Sequence, residues 1–469
     1  MSDLDLANLS ISRAARALRA RELSPLELTD AYLRRIEQLN PRVNAYITVT
    51  AERAREDAKR AGEELAAGNA RGALHGIPIA HKDLYETAGI RTTGGAKIHA
   101  NHVPAEDCTV ARKLREAGTV LLGKLNTHEY AYGATTNNPH FGPTRNPWDL
   151  ERIPGGSSGG SGAAIAAGLA TATTGTDTGG SIRMPASVCG VVGLKPTYGR
   201  VSKAGVLPLS YAFDHAGPLT RTVEDAALML NAIAGYDPAD PHSARVPIAD
   251  ATAGLGAGVR GLRIGVPRGA FFGRLEDEVG PALERALAEL GRLGAEVREV
   301  EVPGVAEAVG GLFGFVLAEA QEIHAASLRS RPQDIGDDVR AILQTPAPDA
   351  AALMAGLRAR DALTVAMRRT LETFDVLVTP TTPITAARIG QDTVRTGGAD
   401  EPTLVAMIRC TAPFNATHLP ALSLPCGFTR AGLPIGLQIA GRPFDEATVL
   451  RVGHAYEQAT DWHTRTPAL

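Results

Sequence analysis

The stretch from Pro154 to Pro185, PGGSSGGSGAAIAAGLATATTGTDTGGSIRMP, constrains this chain more than any other. Two Gly/Ser clusters flank a segment of small residues. Such a composition can be a flexible linker. Three features argue otherwise. A proline stands at each end, the middle is rich in Ala and Thr with little charge, and the second cluster leads into an apolar stretch from Val188 to Leu194. Glycine admits positive φ and lets a backbone approach a ligand closely. Successive N–H groups can then converge on one oxygen. A serine in such a turn sits beside its own oxyanion hole. Thr178-Gly179-Gly180-Ser181 fits that pattern, and the backbone N–H groups of Thr178, Gly179, Gly180 and Ser181 are the expected donors.

Competing motifs fail on context. Gly156-Ser157-Ser158-Gly159-Gly160 matches the GxSxG pattern of a nucleophile elbow, with Ser158 central. An elbow follows a strand, and the residues from Asn146 to Pro154 read as loop. Asp177-Thr178-Gly179 has the look of an aspartic-protease signature, but a second copy is missing. No GxxxxGK[ST] or HExxH occurs, and the Cys and His residues lack zinc-type spacing. No cofactor and no metal is therefore expected.

Around this stretch, strand and helix signals alternate. Gly76 to Ala80 reads as a short strand running into His81-Lys82-Asp83, and 119–124 as another. Further strands are expected at 262–266, 297–302, 375–379, 421–424 and 434–439. Helices are expected at 223–234, 278–293, 350–373 and 447–459. Ser24-Pro25-Leu26-Glu27 is a helix start: a Ser cap, Pro at the first position and Glu three residues after the cap. The alternation predicts an α/β fold. One domain over 1–469 is expected, with a core at about 70–235 and 375–460 and a variable helical region at about 240–370.

Charge and composition narrow the partners. The formal net charge is −3, with no long basic block, which argues against nucleic acid or an anionic membrane as direct partner. Aromatics make up 4%, too few for a base-stacking surface. Cys108, Cys189, Cys410 and Cys426 are scattered without a CxxC pair and read as reduced thiols in the cytoplasm. The opening MSDLDLANLS is acidic and lacks an apolar h-region, so no signal peptide is expected. No apolar run is long enough to span a bilayer. The expected partners are thus a small molecule and, as one possible assembly, a second copy in a homodimer.

Several blocks together carry a resemblance. GGSSGGSGAA, GTDTGGSIRMPAS and CGVVGLKPTYGRVS, with GIPIAHKD around Lys82 and GLPIGLQIAGRPFDE near the end, closely resemble the amidase signature family. The likeness covers most of the chain and is weakest from about 240 to 370. It implies a large mixed β-sheet flanked by helices on both faces. It also implies a serine amidase with no histidine in the catalytic set: Lys82 as catalytic lysine, Ser157 as bridging serine held by a cis peptide, and Ser181 as nucleophile. The chemistry is coherent. A serine hydroxyl is a weak nucleophile until a base takes its proton. A lysine amine can be that base only when neutral, and bringing its pKa from about 10.4 towards 7 takes roughly 4 kcal/mol of burial and dipoles. Lys82 follows an apolar strand, where burial is expected. Ser158, His81 and His140 are expected to be structural, Cys189 a small core residue, and Arg183 and Asp177 polar support beneath the glycine turn.

Two sorts of member share this signature. Stand-alone amidases cleave aryl, alkyl or peptide amides and sometimes esters or carbamates. The A subunit of the glutamyl-tRNA(Gln) amidotransferase takes ammonia from glutamine and needs partner chains. TRNPWDLERIPGGSSGGSGAA and GVVGLKPTYGRVS are in the style of that subunit. Ile408, however, stands where the amidotransferase chain carries an acidic residue for the glutamine amino group. Leu312, Phe313 and Phe315 suggest an apolar acyl pocket, to which the loops from Tyr130 to Asn138 would contribute. From these residues the expectation is a stand-alone amidase acting on aryl or alkyl amides, and the amidotransferase chain is the alternative.

Overall fold

Eleven strands form one mixed sheet. Across it they run Tyr46–Val49, Val120–Leu125, Pro78–Lys82, Ala172–Asp177, His215–Thr220, Val192–Lys195, Ala421–Phe428, Pro434–Gly441, Val376–Pro380, Arg263–Val266 and Glu296–Glu299. This computed structural model describes residues 5, 6 and 8–469. Residues 1–4 and 7, part of the opening stretch read as lacking a signal peptide, lie outside the described residues. Pro78–Lys82 is parallel to both of its neighbours. The pairings from Ala172–Asp177 across to Val376–Pro380 are antiparallel, and the last two are parallel again. Every residue of Pro78–Lys82, Val120–Leu125, Ala172–Asp177 and Val376–Pro380 is buried. Strands buried along their whole length need cover on both faces, and helices supply it, as the family resemblance implies. The edge strand Glu296–Glu299 is mostly exposed and charged, which discourages pairing with another chain.

The Gly/Ser stretch is not a linker. It resolves into the helix Gly159–Ala166, the strand Ala172–Asp177 and the helix Arg183–Cys189. The strand lies next to Pro78–Lys82 in the sheet, so Lys82 ends one strand and Ser181 follows the adjacent one. The helix start at Ser24 also forms, with Ser24 and Glu27 exchanging both capping bonds.

Within 240–370 the strands expected at 262–266 and 297–302 form as Arg263–Val266 and Glu296–Glu299, and both join the sheet. Its longest element is the 26-residue helix Val305–Ser330, where the sequence offers only a short apolar stretch. Gly310, Gly311 and Gly314 hide it, because each costs about 1 kcal/mol of helix propensity relative to alanine. The glycines serve packing. A Cβ added to Gly311 would lie 2.6 Å from the Cα of Gly356 in the helix Ala350–Thr373, so the two helices meet at backbone contact. Leu312, Val316 and Ala320 then bury against Leu84, Tyr130 and Phe213 in a second core beside the glycine turn. No helix among the described residues is long and apolar enough to cross a membrane.

Candidate active site

Lys82 is fully buried at the end of its strand. Its backbone N–H donates to Thr174 Oγ1 at 3.2 Å, which ties the strand end to Ala172–Asp177. Its Nζ donates to Ser157 Oγ at 2.7 Å and to Thr176 Oγ1 at 2.8 Å. Burial draws the amine down to about 7, against the opposing pull of the Asp214 and Asp177 carboxylates. A buried amine that is neutral near pH 7 can accept a proton. His81 is drawn down to about 3 by burial, so it stays uncharged at neutral pH, and its ring nitrogen meets Thr174. His140 pairs with Glu129 at 2.8 Å. Neither histidine side chain is hydrogen-bonded to Lys82, Ser157 or Ser181 among the described residues.

Ser157 lies in the loop before the helix Gly159–Ala166, and the Gly156–Ser157 peptide is cis. Its carbonyl accepts from Thr127 Oγ1 at 2.9 Å and from the His128 N–H at 3.1 Å. The Ser158 N–H donates to the Ser181 carbonyl at 3.2 Å, which brings the two serine segments together. The Ser157 and Ser181 hydroxyls are not hydrogen-bonded to each other among the described residues. Such contacts are often loose in unliganded enzymes. Ser158 turns its hydroxyl to the Thr176 carbonyl at 3.2 Å, and no strand precedes it. Strand, turn and helix surround Ser181 instead.

The turn from Thr178 to Ser181 has four backbone N–H groups, and among the described residues none of them donates to a protein acceptor. Thr178, Gly180 and Ser181 are buried, and Gly179 is half-buried. Beneath the turn, the fully buried Arg183 grips Asp177 with two hydrogen bonds, Nε to Oδ2 at 3.0 Å and Nη2 to Oδ1 at 2.8 Å. It also donates to Gln438 Oε1 and Asn415 Oδ1, each at 2.7 Å, and to the Thr411 carbonyl at 2.9 Å. Burial pushes the Asp177 carboxyl up, but the Arg183 charge and hydrogen bonds outweigh it and hold it at about 2. Sequence reasoning finds Asp177 and Arg183 and misses Asn415, Gln438 and Thr176. Asn415 and Gln438 reach the turn only through tertiary structure, and a lone amide has no spacing to betray it.

Ser181, Thr178 and Gly179 open onto a cavity of about 310 Å³ whose far wall includes Leu312, Phe313 and Ile408. Residues 131–134 of the expected loop also line it. Phe315 does not. At 100° per helical residue it leaves the face that carries 312, 313 and 316, and it packs on Phe213 with ring centroids 6.3 Å apart. No charged side chain lines the cavity among the described residues.

Residues 27–450 match the model of the Amidase family. The chain belongs to that family. Within it, the chain is 44% identical over 490 residues to the A subunit of the glutamyl-tRNA(Gln) amidotransferase of Moorella thermoacetica, covering 99% of each chain. The solved structure of the same amidotransferase chain from Thermotoga maritima superposes with a TM-score of 0.81 at 36% identity, over 98% of this chain and 96% of that one. A chain from a vestigial protein complex, described as revealing the origins of an s-triazine catabolic enzyme, gives a TM-score of 0.91 at 35% identity, over 96% and 98%.

These likenesses correct two expectations. The stand-alone amidase of aryl and alkyl amides gives way to the amidotransferase alternative, because similarity to the amidotransferase chains runs the full length of both partners in the comparison. That expectation leaned on Ile408 and a few apolar residues, which describe one wall of one cavity and not the whole surface. The expected partner set, a small-molecule substrate with no direct nucleic acid and a possible homodimer, also falls. The relatives are named as subunits of an enzyme of glutamyl-tRNA, and a structural neighbour comes from a protein complex. A net charge of −3 is a sum over the whole molecule, whereas partner binding depends on local patches.

Proposed function

We propose that this chain is the amide-hydrolysing component of a glutamyl-tRNA(Gln) amidotransferase, working with partner subunits to release ammonia from glutamine. The observation that carries the reading is the 44% identity over 99% of this chain and of its relative. In this reading Ser181 Oγ attacks the carboxamide carbon. Its proton passes to Ser157, whose own proton passes to the neutral amine of Lys82. The N–H groups of Thr178, Gly179, Gly180 and Ser181 hold the oxyanion. On collapse the C–N bond breaks, the relay returns the proton, and ammonia leaves. Water activated by the same relay then hydrolyses the acyl-enzyme to glutamate and frees Ser181. The 2.7 Å bond between Lys82 and Ser157 and the uncommitted N–H groups of the turn support these roles. The cytoplasm is the proposed compartment, supported by four buried free thiols.

The test is ammonia release from glutamine, and amidation of Glu-tRNA(Gln), by the chain alone and with its co-purified partner subunits. Glutamine-dependent amidation that needs this chain supports the proposal. Absence of glutamine turnover even with the partner subunits present overturns it.

The relay also sets a pH profile. Lys82 must be unprotonated to accept a proton, and burial places it at about 7. kcat/KM is expected to rise roughly tenfold per pH unit below that point and to level off above it. A rate that falls as pH rises through 7, at constant ionic strength, would remove Lys82 as the base.

A further inference from the structure

We propose that Thr411 is a positioning residue for the oxyanion turn, aiming the Gly180 N–H at the reacting oxygen by holding the Gly179 carbonyl behind it. The inference rests on the proposed roles of Ser181 and the turn. Thr411 stands before the short helix Ala412–Ala416, yet its hydroxyl makes no capping bond to that helix. The hydroxyl donates to the Gly179 carbonyl at 2.6 Å, with the Ile408 carbonyl a longer alternative at 3.1 Å. In a trans peptide the carbonyl and the next N–H point in opposite directions. Fixing the Gly179 carbonyl on Thr411 therefore turns the Gly180 N–H to the opposite side.

The same device recurs two peptides earlier. Asn415 Nδ2 donates to the Asp177 carbonyl at 3.1 Å, which fixes the Thr178 N–H in the same way. Thr411 and Asn415 are four residues apart and so share one side of a helical turn. The post is itself anchored. Arg183 holds the Thr411 carbonyl at 2.9 Å, and Gln438 holds the Cys410 carbonyl at 3.0 Å. Gly180 accommodates the arrangement. Its φ is +133°, and a Cβ there would meet Thr411 Oγ1 at 2.1 Å.

The test uses the full chain and an alkyl fluorophosphonate, which phosphonylates an activated serine with loss of fluoride and does not depend on which amide is the natural substrate. The T411V variant is expected to react on the order of 10–100-fold more slowly. T411S, which keeps the hydroxyl, is expected to react within about threefold of wild type. The midpoint of the rate–pH profile is expected to stay where it is in wild type, because the lysine relay is untouched; a general loosening of the site would move it. With glutamine and partner subunits, kcat is expected to fall and KM to change little. T411A, read in the same way, serves if T411V does not fold. Labelling of Ser181 at the wild-type rate in the hydroxyl-less variant overturns the inference alone. Labelling of wild type at another residue, with Ser181 untouched, overturns the Ser181 assignment and this inference with it.

Discussion

Replacing Ser181 with alanine is expected to lower amide turnover by about 10⁶-fold, the scale seen when a serine hydrolase loses its nucleophile. The oxyanion donors would remain, so a residual rate above that of water is expected, about 10³–10⁴-fold. The fold should survive, because the Ser181 side chain makes no hydrogen bond among the described residues and its backbone contact to Ser158 is kept. Steady-state ammonia release, with a melting curve on the same sample, checks both points. Activity within about a hundredfold of wild type in a folded S181A protein would rule Ser181 out as nucleophile.

The second large effect is on stability. Arg183→Met is expected to cost about 3–5 kcal/mol at pH 7, the scale of leaving one partner of a buried ion pair unpaired. The loss is concentrated because one side chain, Arg183, meets Asp177, Asn415, Gln438 and the Thr411 carbonyl together. The sign of its pH dependence follows from Asp177. In wild type the folded carboxyl is held at about 2, below its ordinary 3.8, so the pair adds stability above 3.8 and loses it as pH falls towards 2. In the variant the largest opposing influence on Asp177 is gone, and burial pushes it up against the weaker pull of the Lys195 charge and the Asn415 hydrogen bond. Its protonation then relieves the variant as pH falls, and the gap to wild type narrows between pH 7 and pH 4. Urea midpoints at the two pH values measure it. A gap below about 1 kcal/mol at pH 7, or one that widens at pH 4, would mean that Arg183 does not carry the turn.

The parts of this molecule that are legible in its sequence are the local ones. Ile77 and Ile79 announce a strand before Lys82, and the Gly/Ser clusters announce tight turns, because alternation and glycine density act within a few residues. The strand Ala172–Asp177 is harder to see. Its threonines are buried but polar, so it carries no apolar run to mark it. The helix Val305–Ser330 is masked by glycines whose use appears only when the helix Ala350–Thr373 lies against it. Asn415, Gln438 and Thr411 sit far along the chain from the turn they hold, and nothing in their own neighbourhood marks them. Phe315 shows the reverse error, an apolar neighbour of Leu312 that a helix turns away. The partner set was out of reach because it depends on surface patches, which neither net charge nor the lining of one cavity samples.

The cavity over Ser181 draws its two sides from different parts of the chain. Lys82, Ser157 and the turn to Arg183 lie within residues 78–183, while Leu312, Phe313 and Ile408 arrive from helices far downstream. Side-chain changes at Leu312 and Phe313 leave the hydrogen bonds around Lys82 and Asp177 as they are, whereas Ile408 lies one turn before Thr411, which holds the Gly179 carbonyl. In a duplicated gene, one copy can therefore drift towards a new carboxamide while its reaction centre stays under the old selection. Descendants of such a fold are expected to differ first in what they grip and last in how they cut.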